Sequence, residues 1–270
     1  TAGCSKTEDQ LFGSQPQSAE SASPFAGSPN QTIQVASVGA AETAQIQISV
    51  QSGFNSAGRP SSDLDVHPRR KPEQVIAWAG IKDGMSVIDI GASGGYYSEN
   101  LAWAVGYEGW VIAQNIPGAL DRFEGRNRQA LDARLANARL PQIETAEIAY
   151  AELAEEFDEL DAATIVNIFH DVHNFQNAGL EVLQAIHSTL LPGGFLLLID
   201  HAGAPNRDNS ELHRIDPAIV ESLLEQAGFI IAERSDLLAN TSDNKDVSVF
   251  DASVRGNTNR FIIKAVKPAN

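Results

Sequence analysis

The run Val87-Ile88-Asp89-Ile90-Gly91-Ala92-Ser93-Gly94-Gly95-Tyr96-Tyr97 constrains the chain more than any other segment. An apolar, β-branched stretch ends on a carboxylate, passes through a turn of small residues, and enters a helical pattern. Such a strand, turn and helix form the opening unit of an α/β sheet. Glycines in the turn let a ligand press against backbone, and the helix start presents N–H groups and positive potential. In open α/β sheets ligands sit at the carboxyl ends of the strands, where this turn must lie.

The remainder repeats the alternation. Strands are predicted at 86–90, 110–114, 143–148, 162–169, 194–200, 229–234 and 260–266, from apolar β-branched runs bounded by turn residues. Helices are predicted at 96–105, 120–137, 179–190 and 217–226, with Asp216 as an N-cap and Gly228 as a stop. A shorter helix begins at Pro72, whose ring suits a first turn, and closes at Gly80. Strand–helix alternation implies a Rossmann-like, doubly wound parallel sheet of about seven strands. No helical pattern separates the last two strands, only the Asn-, Asp- and Ser-rich stretch 240–257, so the sheet should end in an antiparallel hairpin.

Ahead of this domain the texture differs. Residues 5–30 are Ser, Gln, Pro, Gly and Ala with scattered acids, a composition unable to bury enough apolar surface to fold. We expect a disordered polar leader over 1–57 and a folded domain over 58–270. Segment 32–50 has more Val, Ile and Ala, but no element is assigned to it. Cys4 is the single cysteine, so neither an internal disulfide nor a thiolate metal cluster is available. Thr1-Ala2-Gly3-Cys4 resembles the end of a bacterial lipoprotein signal, although Thr1 stands where a Leu is usual. A lipidated Cys4 would tether the domain to a membrane, giving a periplasmic or membrane-anchored lipoprotein; an ordinary exposed cysteine leaves a cytoplasmic protein equally open. With 35 acidic and 19 basic residues the net charge is -16. Such a chain is repelled by phosphate backbones and anionic head groups, so no nucleic-acid partner is expected, and no protein partner is implied.

Two cofactor classes use a glycine turn of this kind. A dinucleotide turn needs G-x-G-x-x-G, but counting from Gly91 puts Ser93 and Tyr96 at the second and third glycines. The pattern D-x-G-x-S-x-G instead resembles motif I of class I S-adenosylmethionine-dependent methyltransferases. Ser93 replaces the usual middle glycine, a mild change if its backbone angles are ordinary. The second strand ends on Asn115, where such enzymes usually place an acid on the cofactor ribose; Asn115 can hydrogen-bond the hydroxyl without charge assistance. Asn167, Phe169, His170 and Asp171 bunch at the end of the fourth strand, and Leu191-Pro192-Gly193-Gly194 leads the fifth, which ends Asp200-His201. From about Gly58 to Pro268 the chain is similar to a group of predicted bacterial methyltransferases often made with export signals. The likeness is carried by Arg70-Lys71-Pro72-Glu73, Gly94-Gly95-Tyr96-Tyr97, His170-Asp171, Asp200-His201, Leu212 to Asp216 and Val249 to Gly256.

The resemblance implies S-adenosyl-L-methionine as cofactor and a small-molecule acceptor that it does not specify. The cofactor should lie against Asp89, Gly91, Ser93, Gly94, Gly95, Tyr96, Asn115, Asn167 and Phe169. Methyl transfer to oxygen or nitrogen needs alignment and a group to take the acceptor's proton. His170 is expected as that base, with Asp171 either orienting its ring or capping the next helix, and His201 as the second candidate. One of Tyr96 and Tyr97 should reach the cofactor's carboxylate and the other belong to the core. His213 and Arg214 should bind substrate or lock the loop before Asp216, and His67 and His187 should be surface residues. The histidines match no named zinc spacing, so no metal is assigned. A non-catalytic, exported binding domain that keeps the fold is the alternative function.

Overall fold

The structure, a computed structural model, describes residues 38–269. Cys4 and the expected leader up to residue 37 lie outside the described residues. Along the described chain run α1 (Ala40–Phe54), α2 (Ser62–Arg70), α3 (Pro72–Ala79), β1 (Ser86–Ile90), α4 (Tyr96–Val105), β2 (Trp110–Asn115) and α5 (Arg122–Leu135). There follow β3 (Ile143–Glu147), α6 (Leu153–Glu156), β4 (Leu160–Val166), α7 (Phe169–Asn174), α8 (Gly179–Thr189), β5 (Leu190–His201), α9 (Pro217–Gln226), β6 (Ile230–Ser235) and β7 (Arg260–Val266).

The seven strands form one sheet in the order β3-β2-β1-β4-β5-β7-β6. β1 to β5 are parallel, and β7 runs antiparallel to both β5 and β6. This is the doubly wound sheet with an antiparallel C-terminal hairpin that the alternation predicts. Order reverses at β1, because β2 and β3 lie on one side of it and β4 onward on the other. That reversal opens a crevice above the carboxyl ends of β1 and β4, the usual ligand position in such sheets. Side chains of each strand alternate between faces. Along β5, Leu196 and Leu198 enter the core under α7, α8 and α9, while Leu197 and Ile199 enter the core under α1, α3 and α4.

Several boundaries differ from those read in the sequence. The packed chain begins upstream of Gly58: α1 sets Ile46 and Val50 in the core, and a Cβ on its Gly53 would overlap the Trp103 indole. Only these few positions of α1 are buried, which is why composition marks the segment as polar. β4 stops at Val166 because Asn167 takes a left-handed φ of 54°, and Phe169, expected to end the strand, begins α7 instead. α5 starts irregularly, with Phe123, Glu124 and Gly125 at positive φ.

A buried ionic network fastens α2 to α4 and α5. Arg134 of α5 donates to Asp63 at 3.0 Å and also pairs with Glu99 of α4. Glu99 further accepts from Arg139 at 2.8 and 2.9 Å, and Asp63 from Arg59 at 2.8 Å. Every charge here has an opposite partner, the condition under which buried ions are tolerated; removing one partner of such a network typically costs about 3–5 kcal/mol. His67, expected on the surface, is buried at the end of α2. Its ring stacks on Phe54 of α1 at 3.6 Å and pairs with Glu73 of α3 at 3.0 Å.

Candidate active site

Two cavities adjoin at the carboxyl ends of β1, β4 and β5. The first, about 330 Å³, is lined by the turn residues Gly91 to Gly94 with Asp89, Tyr96 and Tyr97. Asn127, Ala130 and Arg134 of α5 and Val166, Asn167 and Ile168 after β4 close its other sides. The second, about 620 Å³, shares Arg70 and Asn167 with the first and also contains His201, Thr258 and Arg260.

The turn is built by hydrogen bonds from β2. Gln114 accepts from the Gly91 N–H through its side chain at 3.2 Å and from the Ala92 N–H through its carbonyl at 2.9 Å. Asn115 Oδ1 accepts from the Ser93 N–H at 2.9 Å, and the Gly95 N–H donates to the Ala92 carbonyl at 2.9 Å. With these four N–H groups taken, the turn offers little to a pyrophosphate, which needs free N–H donors. The cradle suits an uncharged nucleoside better. Gln114 escaped the sequence reading, because its role depends on pairing β2 beside β1 rather than on any motif.

Ser93 adopts a φ of 52° rather than ordinary angles, so the position does favour glycine, as the usual motif has it. Gly95 also needs its left-handed φ of 79°, and a Cβ there would approach Leu131 Cδ1 at 2.8 Å and Arg134 Cδ at 3.2 Å. At this glycine the close approach is therefore to α5. Asp89 is buried and receives hydrogen bonds from Ser98 Oγ at 2.7 Å and Thr164 Oγ1 at 2.8 Å. Burial pushes its pKa up to about 6, against the restraint of those hydroxyls. It joins β1, α4 and β4 beneath the cavity floor.

Other predicted cofactor residues divide. Asn167 borders both cavities, and its Oδ1 is buried without a partner. Asn115 is buried, with Nδ2 unpartnered. Tyr96 lines the first cavity under the Arg70 guanidinium, 4.5 Å from the ring centroid, whereas Tyr97 is mostly core. Phe169 corrects its assignment: as the first residue of α7 it is fully buried in the core and lines neither cavity.

The histidines also divide, and here the structure departs furthest from expectation. His170 is buried and lines neither cavity. Its Nδ1 meets Asp200 Oδ1 at 2.7 Å and its Nε2 meets Asp171 Oδ1 at 3.1 Å. Burial alone would lower its pKa, but the two carboxylates outweigh burial and raise it to about 9. At neutral pH the ring is charged, with both nitrogens engaged and no lone pair to accept a proton. The carboxylates that draw it inward also deny it the role of base. Asp171 orients the ring, and it holds His213 Nδ1 at 2.8 Å as well. His170, Asp171 and His213 place three possible ligand atoms within 4.8 Å of one another, and the ion pairing accounts for that grouping. Arg214 locks the loop before α9, fully buried against Asp243 at 2.8 and 3.0 Å.

His201 has the opposite character. It ends β5 and faces the second cavity, with Nδ1 2.7 Å from Thr258 Oγ1. Burial lowers its pKa to about 4, so the ring is neutral near pH 7. Its Nε2 has no hydrogen-bond partner among the described residues.

No protein-family model matches the chain, and no curated protein matches it. Solved structures do. The chain is similar to an S-adenosylmethionine-dependent methyltransferase from Aquifex aeolicus, at 18% identity over 82% of this chain and 98% of that one, with a TM-score of 0.54. It is also similar to the arsenic(III) S-adenosylmethionine methyltransferase of Chlamydomonas reinhardtii, at 16% identity over 82% and 73%, TM-score 0.53. A third similar structure, the [4+2]-cyclase SpnF, has 15% identity over 85% and 96%, TM-score 0.56. Likeness at these identities establishes the fold, that of class I S-adenosylmethionine-dependent methyltransferases. The cyclase shows that the fold alone does not fix the reaction.

Proposed function

We propose that the protein is an S-adenosylmethionine-dependent methyltransferase acting on a small molecule. The observation that carries this reading is the glycine cradle. The N–H groups of Gly91, Ala92 and Ser93 are satisfied by β2, while Asn115 Nδ2, beside the turn, and Asn167 Oδ1, on a residue that lines the cavity, are buried without partners. Unpaired buried amides are costly, and a nucleoside rich in hydroxyl and amine groups would satisfy them. Gly91, Ser93 and Gly94 would seat the cofactor against backbone, while Gly95, expected to touch it, instead lets the turn pack on α5. Asn115 would take its ribose, Tyr96 and Arg70 its amino-acid end, and Asp89 would brace the floor.

Bound there, the cofactor supplies an electrophilic methyl group on a sulfonium. The chain's own residues supply position and proton transfer. The adjoining second cavity would present the acceptor, and Asn167, which lines both, would align the two. His201 Nε2 would take the proton from the acceptor's O–H or N–H. Thr258 holds the other ring nitrogen, and burial keeps the ring neutral and ready. His170, with Asp200, is then a positioning pair: Asp200 Oδ1 also accepts from the His201 N–H at 2.7 Å, which anchors the end of β5.

Calorimetric titration with S-adenosylhomocysteine tests the cofactor site. Binding is expected in the wild type. Asn115→Asp should tighten it about fivefold, because a carboxylate bonds a ribose hydroxyl more strongly than an amide does. Absence of binding by the folded wild type would refute the reading.

A further inference from the structure

The second cavity has a charge pattern that the rest of the molecule does not lead one to expect. Four arginines line it, Arg69, Arg70, Arg255 and Arg260, and no carboxylate does. The chain carries 35 acidic residues against 19 basic, so a group of arginines would be expected to have an anionic neighbour among them. Arg59, Arg128, Arg134, Arg139, Arg214 and Arg234 all have one. None of the four cavity arginines forms an ion pair among the described residues.

Arg260 is the sharpest case. It opens β7 only 8% exposed, donates from Nη2 to the Arg69 carbonyl at 2.6 Å, and leaves Nε buried with no partner. Burial, and then the nearby Arg70 and Arg69, hold its pKa below the ordinary arginine value. It nevertheless remains a cation, since arginine does not lose its proton in proteins. A buried, repelled and partly unbonded guanidinium is unfavourable by itself and is relieved when an anion arrives. Planar guanidinium groups also match carboxylate and phosphate geometry in pairs. Val66, Val249 and the exposed Phe250 supply an apolar wall beside them.

We propose that this cavity binds an acceptor bearing a carboxylate or phosphate on a small apolar body, with Arg69, Arg255 and Arg260 holding the anionic group. That this ligand is the methyl acceptor rests on the function proposed above; that the cavity binds an anion does not. A volume of about 620 Å³ suits a small molecule. The group held is distinct from the cofactor's own carboxylate, because of these arginines only Arg70 reaches the first cavity.

The test is calorimetry on the full chain with benzoate and phenyl phosphate, each against its neutral counterpart, benzamide or phenol. Titrations are run with and without S-adenosylhomocysteine. At least one charged probe should bind, and its neutral counterpart at least about tenfold more weakly. The preference between benzoate and phenyl phosphate identifies the anion. Arg260→Gln and Arg255→Gln should each weaken the charged probe about tenfold. Arg255 is exposed, so its variant remains informative even if Arg260→Gln disturbs folding. Three results would overturn the proposal: equal binding of charged and neutral probes, unchanged affinity in Arg255→Gln, or no probe binding to a protein that does bind S-adenosylhomocysteine. If charged probes bind but S-adenosylhomocysteine does not, the anion site stands and the methyltransferase reading falls.

Discussion

Raising the pH from 6.5 to 9 should destabilise this protein through one residue. His170 is held between Asp200 and Asp171, which bring its pKa from an ordinary 6.5 to about 9 in the folded state. A group whose folded pKa is raised contributes its full stabilisation below the unfolded value. That contribution is lost as pH climbs through the folded value. Across this window the linkage amounts to about 3 kcal/mol, at about 1.4 kcal/mol per pH unit. Urea unfolding at pH 6.5, 7.5 and 9 would measure it, with His170→Asn as the reference that has no proton to lose. The wild type should lose about 3 kcal/mol more than the variant over that range. Two neighbouring groups do not obscure the difference, since His201 is already neutral and Asp171 already ionised there. Parallel curves for the two proteins would mean that His170 is uncharged at neutral pH. His170 would then have a lone pair with which to act as a base.

Once an acceptor is turned over, His201→Ala should lower kcat by roughly 10²–10⁴-fold with cofactor affinity unchanged. In the wild type activity should persist to about pH 5, because the base protonates only near 4; a loss centred near 6.5 would contradict this. Ser93→Gly should stabilise the fold by about 0.5–1 kcal/mol, the relief of a left-handed φ less the backbone freedom glycine gains on unfolding, visible as a Tm rise of about 2 °C. Ile46→Ala should cost about 2–4 kcal/mol in urea unfolding, since α1 buries that side chain, whereas a change under about 0.5 kcal/mol would mean that α1 does not pack on the domain.

Much of the fold was legible because its signals are local. Strands β1 and β7 and helices α4 and α9 lie at the predicted residues, each specified by a contiguous apolar period and by a turn or cap beside it. α7 was missed because six residues are too few to show a helical period, and its first residue, Phe169, reads equally well as the end of a strand. α1 was missed because its few buried positions are diluted by polar neighbours, and its stability comes from α3 and α4 rather than from its own composition. A signal for the arginine cavity did exist in part: Arg70 and Arg255 both fall within the segments that carry the family resemblance. Nothing local indicated that they would meet.

The sequence alone therefore determined the succession of seven strands along the chain, the antiparallel ending and the position of the glycine turn, because each depends on residues within a few places of one another. Only the tertiary structure decided which histidine faces the cleft. His170 and His201 each follow a strand and look equivalent in sequence. The fold closes Asp200, thirty positions along the chain from His170, onto both ring and backbone of one, and leaves the other open to the cavity. It likewise brings Arg69 and Arg70 across to Arg255 and Arg260 without a carboxylate among them. Charge, burial and proton affinity at a site are set by what surrounds it in space, and sequence distance does not encode that.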